Sequence, residues 1–357
     1  MSNNTSDHLP AAPSDLTPDW LGAKLGHKIQ SLENTRNIWG TGSKLFYTIT
    51  YADATAETNR PEHVCIKGVF DPAMIAAQPW TVSLAQREAD FFSKIAPALS
   101  GTVLFPRGWW AGTSATQGIV IMDDLTTSGC TFAPEVTSYP VALVLNGVEQ
   151  LASLHARYWG QSEADHPWIW NNYDPAIKFM CGSWDDVVRQ PGRHQLLAYL
   201  MDGARCNEAL DRYFAERNPR FRTLLHGDTH MGNVYFAPDR RVGFLDWSAV
   251  HFGSCFHDVV YHMTAMLSVT DRRAHEMEIL DRYLETLQRL GGPRFDRGDP
   301  EVMVEYRRSF MTNVIWLVCP DGLQSKERVA ALCVRAVAAF DDHGVVDVIL
   351  GQEKPGA

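Results

Sequence analysis

The segment 225–248, LHGDTHMGNVYFAPDRRVGFLDWS, gathers side chains able to do chemistry. Asp228 and Asn233 stand five residues apart, in a loop between the strand-like runs RTLLH and NVYF, and Asp246 follows the next such run, VGFL. A carboxylate beside a carboxamide and a second carboxylate is an all-oxygen donor set suited to Mg2+. One carboxylate can stay free of the metal and accept the proton of a hydroxyl while the carboxamide and the other carboxylate hold the metal, which is the division of labour of phosphoryl transfer. Two other readings fit the same stretch. His226, Asp228 and His230 alternate, and H-x-D-x-H suits the metal cluster of a hydrolase. The three also suit satisfied polar residues at a turn.

These residues need elements to hold them. Up to about residue 125 the chain reads as strands: KLFYTITY (44–51), HVCIKGV (63–69), TVLFPRGWW and GIVIM are rich in aromatic and β-branched residues. One helix is expected at 83–96, opened by a capping-box pattern of Ser83 and Gln86. Beyond residue 140 the pattern turns helical, with Pro140 in a first turn and Val144, Val148, Leu151 and Leu154 at helical spacing. Further helices are expected at 193–217, 257–290, 301–317 and 325–343. Between the first two lies a small strand cluster in which the turn PDRR joins the last two runs. The outline is a β-rich N-terminal lobe, a connection near Met122–Leu125, and a helical C-terminal lobe with an embedded hairpin.

The loop spacing is that of the protein-kinase segment H-R-D-x-x-x-x-N followed by D-F-G. The same places here read His226-Gly227-Asp228, Asn233 and Asp246-Trp247-Ser248. With His230 the pattern becomes H-G-D-x-H-x-x-N, then D-W, which resembles the aminoglycoside phosphotransferase and choline kinase-like families. MDDL, LASLHARYWG and DWSAVHFG with His257-Asp258-Val259-Val260-Tyr261 are similar in texture to the ecdysteroid kinase-like branch and its bacterial relatives. The resemblance implies an α+β, bilobal protein-kinase-like fold: a flexible leader at 1–20, an N-terminal nucleotide-binding lobe at 21–125, and a C-terminal catalytic and acceptor-binding lobe at 126–357.

It also implies roles. Such a fold carries a lysine on its third strand for the α/β-phosphates and a helix glutamate to hold it. Lys67 lies in the apolar run VCIKGV, where an unpaired charge is costly, and Glu88 follows 21 residues later in the expected helix. Asp228 becomes the catalytic base, and Asn233 and Asp246 the Mg2+ ligands. His230, in the place of the protein-kinase catalytic-loop lysine, approaches the γ-phosphate or braces the loop. His226 holds the loop through backbone contacts, Asp258 is a structural acid bracing it, and His155 is a packed helix histidine. Gly42 and Ser43, in the turn Gly40-Thr41-Gly42-Ser43, would let backbone N–H groups approach the triphosphate. Met122, Asp123 and Leu125 form the hinge that reads adenine. The implied cofactors are ATP and Mg2+, and the partner is a small hydroxylated acceptor. An inactive kinase-like binding protein is the third reading, and intact Lys67, Asp228, Asn233 and Asp246 speak against it.

Composition bounds the rest. In 357 residues, 32 Lys and Arg face 42 Asp and Glu, a net charge of −10 that argues against broad nucleic-acid binding. Mg2+ and Lys67 are expected to supply the positive charge where the triphosphate lies. Seven cysteines with no CxxC pair fit reduced thiols. No signal peptide or membrane span is legible, so a soluble cytoplasmic protein is expected. Eleven Trp are many. Trp159, Trp168, Trp170, Trp247 and Trp316 fall where the acceptor is expected, and with the ecdysteroid kinase-like texture they favour a hydrophobic alcohol such as a steroid-like metabolite or antibiotic.

Overall fold

Period-two alternation in the first third of the chain builds one antiparallel sheet. The structure, a computed structural model, describes residues 9–53, 59–133, 136–169, 173–320 and 322–352. In chain order come α1 (Pro18–Leu25), β1 (Ile29–Ile38), β2 (Ser43–Tyr51), β3 (His63–Gly68), α2 (Pro72–Ala77), α3 (Trp80–Lys94), α4 (Ala96–Leu99), β4 (Gly108–Ser114) and β5 (Gln117–Asp123). The strands lie in the order β1-β2-β3-β5-β4, with every neighbouring pair antiparallel. Leu45, Tyr47 and Ile49 of β2, Val64 and Ile66 of β3, and Ile119 and Ile121 of β5 share one face and form the core. Their neighbours in sequence therefore line the opposite face.

The remaining elements are β6 (Thr131–Phe132), α5 (Val141–Arg157), α6 (Tyr173–Cys181), α7 (Trp184–Val188), α8 (Gly203–Ala215), β7 (Arg222–Leu225), β8 (Val234–Phe236), β9 (Val242–Phe244), β10 (His251–Ser254), α9 (Phe256–Met266), α10 (Val269–Arg289), α11 (Pro300–Ser309), α12 (Val314–Val318), α13 (Lys326–His343) and α14 (Val345–Leu350). The chain divides into two compact units. The first takes residues up to Thr131 together with Phe244–Val250, and the second takes the rest. In the second, every residue of α9 is buried, so this helix is its core, while β7 pairs with β10 and β8 with β9.

Several expectations change. Residues 1–8 of the expected leader lie outside the described residues. The stretch 9–20, expected within that leader, packs into the first unit: Leu9 and Leu16 are buried in its core, and the Pro10 carbonyl accepts a hydrogen bond from Gln117 Nε2. The helix expected to open at Ser83 starts a turn earlier, at Trp80. Ser83 Oγ donates back to the Trp80 carbonyl and Gln86 reaches the Ser114 carbonyl, so neither caps; mid-helix serines commonly bond backwards in this way. Residues 104–107 are irregular and β4 begins at Gly108, after Pro106, which has no N–H for a ladder. The helix expected over 257–290 is two, because Leu267 is extended and Ser268 caps α10 by accepting from the Asp271 N–H. Asp202 likewise starts α8 at Gly203, well inside the expected 193–217.

Candidate active site

In the first unit, the face of the sheet opposite the core carries Lys44 and Phe46 of β2, Cys65 and Lys67 of β3, and Val120 and Met122 of β5. Lys67 stands directly across from Lys44 on one side and Val120 on the other. Helix α3 lies close enough to bring Glu88 to Lys67, and the close approach rests on Gly118: a Cβ there would sit 2.3 Å from the Ala85 carbonyl. Lys67 Nζ is 2.7 Å from Glu88 Oε2 and 3.1 Å from Asp246 Oδ1, with Lys67 and Glu88 both buried. Burial opposes a charge on Lys67, but the two carboxylates overcome it and hold the ammonium protonated. Asp246 is kept ionised, far below the usual carboxylate range: burial acts against it, and the Lys67 and Lys44 charges and the Ser248 hydroxyl prevail. Burial pushes Glu88 upward against the pull of Lys67.

Asp246 reaches this place through its backbone. It sits at φ 60°, ψ 70°, the left-handed region that Asp tolerates better than most residues. Trp247, next in sequence, is fully buried and stacked on Phe91 of α3, 4.0 Å between ring centroids and nearly parallel, with Phe105 edge-on. The Phe244 N–H donates to the Leu104 carbonyl, which ties this short return segment into the first unit. Trp247, expected where an acceptor would lie, is therefore a core anchor that fixes Asp246.

A cavity of ≈ 350 Å³, open to solvent, is lined by Thr41, Gly42, Lys67, Gly68, Leu84, Ala85, Glu88, Gly118, Val120, Asp246 and Ser248. Gly42 belongs here: a Cβ on it would crowd Lys67 Cε at 3.1 Å. Ser43 differs. Its side chain is on the Leu45 side of β2, 1% exposed, with its hydroxyl unpartnered among the described residues, so only its backbone can serve the turn. At the far end of β5, Met122 is buried opposite Cys65. The Asp123 carboxylate accepts from Trp109 Nε1 at 2.6 Å, and Leu125 is half-buried.

The second unit holds the loop 226–233. Asp258, fully buried on α9, accepts from the His226 N–H (2.7 Å), the Gly227 N–H (2.9 Å) and His155 Nε2 (3.2 Å). Burial resists its ionisation, yet the His155 hydrogen bond keeps it charged. Thr229 Oγ1 donates to the Asp258 carbonyl. His257 and His262, lowered to about 4 by burial and therefore neutral, bond the Gly227 and Thr229 carbonyls. The loop is thus anchored at successive backbone groups, and Asp228 is presented at its crest, partly exposed. Asn233 Nδ2 donates to both the Asp228 carbonyl (2.9 Å) and Asp228 Oδ2 (2.8 Å). His226 Nδ1 accepts from the Asp228 N–H, and His230 Nδ1 from the Gly232 N–H. His230 Nε2 lies 3.6 Å from Asp228 Oδ2.

Two neighbours of this loop are given no role by the sequence. Tyr261 of α9 stands beside Asp228, whose charge adds to burial in pushing the Tyr261 hydroxyl well above its usual value, and its ring stacks on Trp316, which in turn meets the His230 ring edge-on. Tyr173 stacks on His251 and packs edge-on to His257. Trp316 is buried, Trp159 packs on Phe295, and Trp168 is half-buried. Trp170 lies outside the described residues.

The structure thus gathers Lys67, Glu88 and Asp246 in the first unit, and Asp228, His230 and Asn233 in the second. The donor chemistry suits Mg2+: Asp246 offers an ionised carboxylate, and Asn233, its amide nitrogen committed to Asp228, offers the amide oxygen. The hydrolase reading needs His226, Asp228 and His230 to converge on a metal. Among the described residues no group of three His, Cys, Asp or Glu is placed to do so.

The model of the ecdysteroid kinase-like family matches residues 43–291. No curated protein matches the sequence. Among solved structures, a microcompartment-associated aminopropanol kinase is 13% identical, covering 92% of this chain and 99% of its own, with a TM-score of 0.51. A choline kinase from Streptococcus pneumoniae is 11% identical over 91% and 98%, TM-score 0.50. An AMP-bound spectinomycin phosphotransferase is 14% identical over 97% and 100%, TM-score 0.50. At these identities the likeness establishes the protein-kinase-like fold.

Proposed function

The chain belongs to the ecdysteroid kinase-like family, and we propose from that membership that it is an ATP- and Mg2+-dependent kinase acting on a hydroxyl of a small molecule. The observation that carries this reading is the ion-paired set Lys67–Glu88–Asp246 beside a cavity edged by a glycine turn. A kinase needs this lysine, this glutamate and this aspartate together. The structure of the spectinomycin enzyme with AMP supports the choice of an adenine nucleotide.

Asp228 positions the acceptor hydroxyl and accepts its proton. The acceptor oxygen bonds to the γ-phosphorus while the bond from that phosphorus to the β–γ bridging oxygen breaks, and ADP leaves. Asn233 orients the Asp228 carboxylate through its amide, Lys67 steadies the phosphates, and Glu88 holds Lys67. Asp246 and Asn233 are the donors proposed for Mg2+, which would neutralise charge on the phosphates. His230, its Nδ1 engaged by the loop, braces the segment and turns Nε2 toward Asp228.

The acceptor we propose is a hydrophobic alcohol, such as a steroid-like metabolite or an antibiotic. Support comes from the aromatic surroundings of Asp228, where Tyr261, Trp316, Tyr173 and His257 cluster. The cytosol is the proposed compartment: all seven cysteines are free thiols. Among the described residues no helix is long and apolar enough to cross a membrane.

The test is thermal unfolding with Mg·ATP, followed by labelled-ATP turnover against a panel of hydroxylated metabolites and antibiotics. Mg·ATP is expected to raise the Tm, and Asp246→Asn to remove the rise. Asp228→Asn should keep the rise yet lose roughly 10²–10⁴-fold in transfer. No Tm change with any nucleotide would overturn the kinase reading; full turnover by Asp228→Asn would remove Asp228 from the role of base.

A further inference from the structure

The phosphate site, read as above, has a charge problem. Lys67 is shared between Glu88 and Asp246, so these three side chains together carry one net negative charge where a polyanion must bind. The metal offsets part of the polyphosphate charge, but Lys67 brings no surplus of its own. A second cation stands beside it. Lys44 is directly opposite Lys67 in the β2–β3 register, and directly paired residues project from the same face of a sheet. Only Ser43 separates it from Gly42 of the glycine turn. The side chain is half-buried and forms no ion pair among the described residues. Like charges directly across a strand pair are unfavourable, and the ammonium is weakened, first by burial and then by Lys67. Asp246 and Glu88 offset this only in part.

We propose that Lys44 is a second phosphate-binding cation of this site, engaging the phosphates beyond the α position of a bound nucleoside polyphosphate. The proposal rests on the kinase reading. It adds that Lys67, tied to two carboxylates, serves mainly as a fixed post, while Lys44 supplies the uncompensated positive charge. Arg36, paired with Phe46 on the neighbouring strand, is not equivalent, because its guanidinium lies over the Phe46 ring at 4.0 Å.

The experiment is calorimetric titration of the whole chain with Mg·ADP and with AMP, comparing the parent, Lys44→Met and Lys44→Arg. Lys44→Met is expected to weaken Mg·ADP by roughly ten- to a hundredfold, the range for a hydrogen bond to a charged group, and to leave AMP unchanged. Lys44→Arg should restore most of the ADP affinity. Removing a charge next to Lys67 should leave the nucleotide-free Tm unchanged or raise it, and a purely structural lysine would lower it instead. The proposal is overturned if Lys44→Met binds Mg·ADP as the parent does, or if AMP affinity falls in the same proportion. Should Lys44→Met not fold, Lys44→Gln carries the same comparison. A parent that binds neither nucleotide removes the kinase reading and this proposal together, whereas a binding parent with an unaffected variant removes the Lys44 role alone.

Discussion

Replacing Asp258 probes how firmly the second unit holds its loop. In Asp258→Ala the His226 N–H, the Gly227 N–H and His155 Nε2 all lose their acceptor in a fully buried place. At about 1–3 kcal/mol for each stranded buried donor, with water entering the vacated volume to satisfy one of them, the loss is about 4 kcal/mol. Set against a total stability of about 5–15 kcal/mol, that is a large fraction. It corresponds to a fall in Tm of about 8–16 °C for a unit of this size. The assay is urea unfolding at pH 7, with the midpoint shifting at constant m. The effect also has a pH signature. Asp258 is held below the usual carboxylate range in the fold, so its contribution is fully present above the unfolded-state value of about 3.9 and is lost as pH falls through the folded-state value. Asp258→Asn should therefore flatten the acid side of the stability curve and leave its shape near neutrality unaltered. A loss under about 1 kcal/mol for Asp258→Ala, at unchanged m, would refute the anchoring argument.

Trp247→Ala should cost about 3–5 kcal/mol, because it empties a fully buried indole site stacked on Phe91; Trp247→Phe should recover much of this in the same urea assay. A thiol reagent should label one cysteine quickly in the folded protein, Cys130, and the other six only on unfolding. Those six are buried, and burial pushes Cys65, Cys181, Cys206 and Cys333 up to about 12. More than one fast thiol would contradict the packing described.

The side-chain groupings that the structure shows are legible in the sequence where each residue is expected by type at a fixed offset along the chain. Asp228 and Asn233 do meet through a hydrogen bond, and the lysine on the third strand does meet the helix glutamate and the aspartate after the last strand. What stays hidden depends on pairings that linear spacing does not encode. Lys44 is ordinary until the register sets it across from Lys67. Tyr261 is one residue of a family texture in the sequence, and only the packing of α9 brings it to Asp228. Trp247 looks like acceptor-site material, yet an indole beside an aspartate in a left-handed conformation is what fixes that aspartate in place. Other features do have a sequence signal of their own: Ser268, three residues before Asp271, marks the break between α9 and α10, and Leu9 and Leu16 are apolar residues in a stretch that otherwise has the look of a polar leader.

The return of Phe244–Val250 to the first unit constrains how the chain is made. During synthesis the sheet and α3 leave the ribosome early, while Asp246 and Trp247 follow only after much of a second folding unit has emerged. At about 5–20 residues per second, the Phe91 face waits roughly 8–31 s for its indole. Throughout that interval an apolar ring surface and a buried Lys67–Glu88 pair stand without their last partner. A fragment ending at residue 131 would remain in that state permanently, so the first unit is expected to need the later chain, or a chaperone, to reach its finished form.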